Sequence, residues 1–207
     1  MKVGLVFDPI YLAHDTGHHV ESAKRLRAVM DHLEQTKMLE RVEMIAPDEA
    51  SEELLTLVHT PRHVEYIRRF AEEGGGGLTP DTVMSLASYK AACFAAGGLV
   101  KGVDLVMKGQ LDSVFALVRP PGHHATSSTA MGFCLFNNVA IAAKEAKRKY
   151  ALKRILIVDF DVHHGNGTQE AFYQDPEVLY FSVHEYPFYP GTGSLMEIGA
   201  GRAPATR

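Results

Sequence analysis

The 207-residue chain contains no tryptophan and only two cysteines, Cys93 and Cys134. Two cysteines cannot build a disulfide framework, and these two do not have metal-pair spacing, so a reducing cytoplasm is the expected setting. No apolar run reaches the roughly 18 residues that a membrane span requires, and no membrane partner is expected. Charge of one sign is not in excess. The 21 Lys and Arg against 25 Asp and Glu leave a net charge of −4, so no basic field is available to hold nucleic acid by counter-ion release. The start, MKVGLVFDPIY, has a single Lys and an apolar stretch broken at Asp8 and Pro9. It predicts a first strand and not a signal peptide. No internal repeat is present and no shift of composition marks a linker, so one domain over residues 1–207 is expected.

What the chain does hold is a globular composition, 46% hydrophobic and 22% charged, together with 11 histidines, several of them as doublets. Apolar and polar periodicity predicts alternating strands and helices. Val3–Phe7 predicts a buried strand, Glu21–Glu40 an amphipathic helix with Leu26, Val29, Met30 and Leu33 on one face, and Val42–Ile45 a second strand. Ser51 opens a short helix, Pro61–Phe70 forms another with Pro at its first position, and Gly74–Gly77 reads as a flexible loop. Ser85–Gln110 is rich in Ala, Gly and Leu, as a closely packed helix would be. Val114–Val118 predicts a buried strand and Asn137–Tyr150 a helix with a basic last turn. Arg154–Phe160 reads as a strand covered on both faces, Thr168–Tyr173 as a helix and Val178–Val183 as a strand. Strands alternating with helices argue an α/β fold with a parallel sheet. The end, Gly199–Arg207, carries no periodicity and reads as frayed.

Three constellations fall at strand ends, where open parallel sheets bind ligands. The first is Arg119-Pro-Pro-Gly-His123-His124-Ala, two adjacent histidines after a rigid turn. Adjacent side chains on extended chain point in opposite directions unless the turn re-aims them, and a solvated surface loop would look the same. In the second, Asp159, Asp161 and His163 alternate along a strand end and so share one side. Carboxylates and an imidazole at this spacing are legs of a divalent metal site, because carboxylates at the end of an apolar strand need a cation or donors. The third, Phe181-Ser-Val-His184 followed by Tyr189-Pro-Gly-Thr-Gly193, is by itself compatible with an ordinary Pro/Gly turn. Together they suggest metal-assisted hydrolysis, with a histidine taking the proton from water.

RPPGHHA, GFCLFNN and DFDVHHGNGTQ, in this order and spacing, resemble the histone deacetylase family. This zinc-dependent superfamily includes bacterial deacetylase-like amidohydrolases and acetylpolyamine amidohydrolases. The likeness runs from about Val3 to Gly193. It leans to the class II branch through Asn166 and the Phe-Asn-Asn run. DTGHHVESAKRL is similar to that branch's HPE-type segment, with Val20 where Pro is usual. The resemblance implies a three-layer arginase/deacetylase-like α/β fold with a mainly parallel sheet, incomplete at the carboxyl terminus. It implies hydrolysis of the acetyl amide of acetyl-lysine, an acetylpolyamine or a similar acetylated amine.

The implied roles follow by motif. Asp161 and His163 would bind zinc, and His123 and His124 would activate water and protonate the leaving amine. Asp159 would hold His123, and Asn166 would orient His124. Phe133, Tyr189 and Gly132 would line a narrow substrate tube, Asp81 would be a rim acid binding substrate backbone, and Arg25 would belong to an internal acetate channel. A monovalent cation, potassium by the family pattern, would lie at Asp159, Asp161, His163, Ser182 and Val183. A second would lie at Phe172, Asp175 and Val178. The family's third zinc ligand, an Asp from a GDPLG-type segment, and its catalytic Tyr from a late glycine-rich motif have no counterpart in the 207 residues. Low activity of this polypeptide alone is therefore expected, whether as an incomplete enzyme or as a scaffold that keeps only cation binding. A binuclear arginase-like hydrolase is the other candidate, and the RPPGHHA loop speaks against it.

Overall fold

The computed structural model describes residues 1–200; of the tail read as frayed, residues 201–207 lie outside the described residues. Strand β1 (Val3–Val6) lies at the centre of a three-stranded parallel sheet, between β2 (Glu43–Ile45) and β5 (Ser113–Ala116). Leu5 is level with Met44 on one side and Phe115 on the other. Successive β1 residues face opposite layers, as a pleated strand requires. Leu5 packs with Leu26, Val29 and Leu33 of α1 (Ala23–Gln35), and Val6 packs with Leu105 and Val106 of α4 (Ser88–Met107). Helix, sheet and helix make the three layers expected from the sequence.

The predicted helix over Glu21–Glu40 is realised as α1 and a separate 3-10 turn, Met38–Arg41. The chain breaks at Lys37, which takes a left-handed conformation (φ 56). Helices α2 (Glu52–Leu55) and α3 (Pro61–Glu72) are capped by Ser51 and Thr60, whose hydroxyls accept the Leu54 and His63 amides. Gly74–Gly77 does not form a loop. Gly75–Gly77 is strand β3, antiparallel to β4 (Val83–Ser85). Glycine has no side chain to signal a strand, and the pairing comes from a partner the local pattern does not contain.

The small-residue stripe of α4 (Ala91, Ala92, Ala95, Ala96) is fully buried and lets α5 (Asn138–Tyr150) pack closely against it. Strands β6 (Ile155–Asp159) and β7 (Val178–Ser182) pair in parallel, with α6 (Asn166–Phe172) between them in sequence. This pair is not hydrogen-bonded to the first sheet, so the single continuous sheet expected from the sequence is two sheets among the described residues. Nor is β6 covered on both faces. Ile155 and Ile157 pack with Ala140, Ala143 and Phe172, whereas Leu156, Val158, Leu179 and Phe181 on the other face are half or more exposed. Helices α5 and α6 lie on one side only.

Candidate active site

The long connection from β5 to α5 carries both histidine-adjacent motifs. A tight turn lies in its second half. Met131 and Cys134 exchange both backbone hydrogen bonds (3.2 and 3.0 Å), with Gly132 and Phe133 at positive φ between them (56 and 70°). That is the mirror-image hairpin turn, which accepts glycine readily and a bulky residue such as Phe133 rarely. The turn places Gly132 against the His124 ring so closely that a Cβ there would overlap it.

The turn at Gly122 re-aims His123 and His124, and their rings lie 4.0 Å apart, not on opposite sides of the chain. Each presents Nδ1 to a different oxygen. His123 meets Asp159 Oδ2 at 2.9 Å and His124 meets Asn166 Oδ1 at 2.9 Å. With an acceptor opposite Nδ1 in both cases, each neutral ring carries its proton there and keeps Nε2 bare. Burial and the nearness of His123 push His124 down to about 4, against the Asn166 bond, which raises it. Burial pushes the Asp159 carboxyl up. Hydrogen bonds from His123, the Asp161 amide and Tyr180 outweigh this and hold it below the usual carboxylate range. The amides of Gly167 and Thr168, in the first turn of α6, both donate to the His123 carbonyl (3.0 and 3.1 Å). The tandem pair is thus braced from β6, β7 and α6.

Asp161 and His163 follow β6 directly. Asp161 Oδ1 lies 3.1 Å from His163 Nδ1, and the His163 ring is 6.0 Å from that of His124. A carboxylate and an imidazole this close fit a zinc-type ion in donor chemistry and would supply two of the three protein ligands of a catalytic site. Among the described residues, no group of three or more His, Cys, Asp or Glu side chains converges to hold a metal. Phe188 stacks on His163 (5.3 Å, 13°), and Tyr189 meets both His124 and His163 edge-on (5.1 and 5.9 Å).

The remaining expected residues fall as follows. Phe133 packs edge-on against His19 at 4.8 Å. The Asp81 carboxylate accepts from Thr79 Oγ1 (2.6 Å), Thr82 Oγ1 (2.8 Å), the Gly132 amide (3.3 Å) and the Tyr189 hydroxyl. It therefore clamps the Gly132 turn and Tyr189 from the β3–β4 hairpin. Burial raises its pKa, but these donors together hold it below the usual carboxylate range. Arg25, expected at an internal acetate channel, is 51% exposed on α1 and lies 3.7 Å from Glu21. The enclosed arginine is Arg119, which makes a two-pronged pair with Glu21 (2.6 and 2.8 Å) and donates to the Tyr11 carbonyl. This pair accounts for the DTGHHVE segment.

Of the residues expected at the first monovalent site, Asp159 and Ser182 are register partners, and the Val183 amide donates to the Asp159 carbonyl. The Ser182 hydroxyl is bonded to His184 at 2.8 Å. At the second, Phe172, Asp175 and Val178 lie in two successive turns, the Asp175 amide donating to the Phe172 carbonyl and the Val178 amide to the Asp175 carbonyl, and the Asp175 carboxylate is paired with Lys147 (2.7 and 2.6 Å). Tyr180, His19, Phe188 and Arg119 were not picked out as site residues by sequence reasoning. Arg119, inside RPPGHHA, and His19, inside DTGHHVESAKRL, lay in recognised motifs, whereas Tyr180 and Phe188 did not.

A model of the histone deacetylase domain matches residues 19–207. A probable deacetylase of Methanothermobacter thermautotrophicus (strain Delta H) is 41% identical over 199 residues, covering 95% of this chain and 59% of its own length. Human histone deacetylase 9 is 40% identical over 230 residues, covering 96% of this chain and 23% of its own. A crystal structure of the HDA15 HD domain superposes with a TM-score of 0.92 at 39% identity, covering 97% of this chain and 59% of that one. The chain therefore spans about three-fifths of the archaeal relative and of the solved domain.

Proposed function

The chain belongs to the histone deacetylase family, and we propose that its described site serves zinc-dependent hydrolysis of the acetyl amide of an acetylated lysine side chain or a similar acetylated amine. The observation that carries this reading is the tandem pair, two imidazoles 4.0 Å apart with both Nε2 atoms bare and two metal-type donors beside them. A zinc ion held by Asp161 and His163 would polarise the amide carbonyl and acidify the attacking water. Hydrolysis adds water across the C–N bond, so one proton must leave the water and one must reach the amine nitrogen. His124 is neutral at pH 7 and free to accept a proton at Nε2. His123, backed by the Asp159 carboxylate, is the ring better placed to carry positive charge. Phe133, Gly132 and Tyr189 would guide the acetylated lysine-like side chain. A potassium-type cation near Asp159 and Ser182 would stabilise the loop that holds them.

The division between the two strand-end acids tests this reading. In zinc titrations of the 207-residue chain, Asp161→Ala is expected to abolish the already weak binding. Asp159→Asn should retain binding with a loss of about 10–100-fold at most, the range seen for groups that act through another ligand. Release of the metal by both variants would overturn the assignment. For turnover, acetate release from an acetyl-lysine peptide is measured with zinc, both for the chain alone and for the chain joined to the carboxyl-terminal half of a family member. The joined protein should be active and should lose about 10²–10⁴ in rate on His124→Ala. The chain alone should be nearly inactive. An active joined protein indifferent to His124→Ala would refute the proton-carrying role.

A further inference from the structure

Two buried histidines lie outside this site, His59 in the turn between α2 and α3 and His63 in the first turn of α3. His59 is 2% exposed and uses both ring nitrogens. Its Nε2 accepts the Asn137 amide at 2.9 Å, and its Nδ1 lies 2.9 Å from the Thr126 carbonyl. An amide opposite Nε2 requires a lone pair there, so the proton sits on Nδ1 and the ring is neutral in one tautomer. Thr126 is two residues beyond His124, and Asn137 is four residues beyond Phe133. The contact is reinforced on both sides. The Thr60 amide donates to the Ser127 carbonyl at 2.8 Å, and His63 Nε2 bonds the Leu135 carbonyl at 3.0 Å. Asn137 in turn caps α5 through Ala140 and donates to the Ala125 carbonyl at 3.3 Å. Burial, and next the neighbouring His63, push His59 down to about 3, which agrees with a ring held neutral.

We propose that His59 is a positioning residue that fixes the His123–His124 loop against the Gly132–Asn137 segment by bonding both at once. Its contribution to catalysis rests on the tandem histidines being the proton carriers, but its bonding does not. No other side chain replaces it whole. Asparagine offers a polar atom only where Nδ1 lies, and glutamine only where Nε2 lies.

The test uses the 15N-labelled 207-residue chain and needs no turnover. Ring resonances of His59 at pH 7 are expected to show the neutral Nδ1–H form. The Nε2–H tautomer or a doubly protonated ring would overturn the proposal even if every variant failed to fold. In hydrogen exchange, His59→Phe and His59→Asn should speed the Asn137 amide about tenfold or more, as loss of a buried bond implies, and His59→Gln should restore it to within about threefold. The amides of Val3–Val6 should stay within about threefold, and the His123 and His124 ring signals should move while that of His184 does not. Unchanged Asn137 exchange in His59→Phe, or equal acceleration at Val3–Val6, would show a packing residue and not a positioning one. A failed deacetylase assay with these signatures intact would count against the functional reading alone.

Discussion

The β2-β1-β5 sheet and the β6–β7 pair are both parallel and both read as apolar strands, yet they are packed differently. Leu5 and Val6 are buried from opposite faces, at 2% and 0% exposure. On β6–β7 one face packs on α5 and α6 and the other is open, with Leu156 at 62% and Leu179 at 65%. The site straddles this difference. His123 and His124 follow the enclosed sheet and are held by the surrounding loops. Asp161 and His163 stand at the end of the half-covered ribbon and are partly exposed. The groups suited to move protons are therefore held from both regions, by the loops after the enclosed sheet and by Asp159, Tyr180 and Asn166 of the ribbon and its connecting helix, whereas the groups suited to hold a metal stand on a strand pair that lacks one layer among the described residues. Metal affinity should be the more fragile property of the two.

The largest effect is expected where the enclosed region buries charge. Arg119 is fully buried and paired with Glu21. Arg119→Met leaves the buried Glu21 carboxylate with only the half-exposed Arg25 near it and should cost about 3–5 kcal/mol in urea unfolding, while adding Glu21→Leu should recover much of that loss. A cost below about 1 kcal/mol for the single change would mean that the enclosed half does not depend on this pair.

A direct comparison of the two strand pairs comes next. Leu5→Ala removes a buried side chain from β1 and should cost about 2–5 kcal/mol. Phe181→Ser on the open face of β7, where Phe181 is 54% exposed, should stay within about 0.5 kcal/mol and should reduce self-association. A cost for Phe181→Ser equal to that of Leu5→Ala would show that the open face is covered in solution.

Much of this was legible from residue order. RPPGHHA and DFDVHHGNG sit at strand ends. The family resemblance implies that Asp159 holds His123, and these two lie 2.9 Å apart, while Asp161 and His163 lie 3.1 Å from each other. The α/β order and the helix starts at Ser51 and Pro61 follow from capping and periodicity. What escaped was set by partners distant in sequence. Ile155–Val158 is apolar throughout, and an apolar run does not say whether a second layer is present. Gly75–Gly77 pairs only because Val83–Ser85 lies beside it. Arg25 and Arg119 are both arginines near motifs, and only the packing of Tyr11 and Glu21 around one of them decides which is enclosed. Phe188 and His19 meet the site through ring contacts that leave no spacing signature.

The last expected effect is acid sensitivity, and it should map to the enclosed half. Burial pushes His14 down to about 4, against Glu21, which raises it, with Arg119, Asp15 and His19 as the other charges it faces. Burial and His63 push His59 down to about 3, against the Thr126 bond. Both folded values lie below the ordinary 6.5, so between those limits the unfolded chain binds more protons than the folded one. Stability is then complete above about pH 6.5 and falls as pH drops toward the folded values, by about 1.4 kcal/mol per pH unit for each ring. Urea midpoints at pH 7, 6 and 5 should decline accordingly. His14→Gln keeps a polar group beside Ser88 and Glu21 and should remove about 1.4 kcal/mol per unit from the slope, without abolishing it, because His59 remains. A slope unchanged by His14→Gln would place the acid-sensitive protons elsewhere, with the ribbon's His164, also lowered by burial and by the neighbouring His184, as the next group to replace.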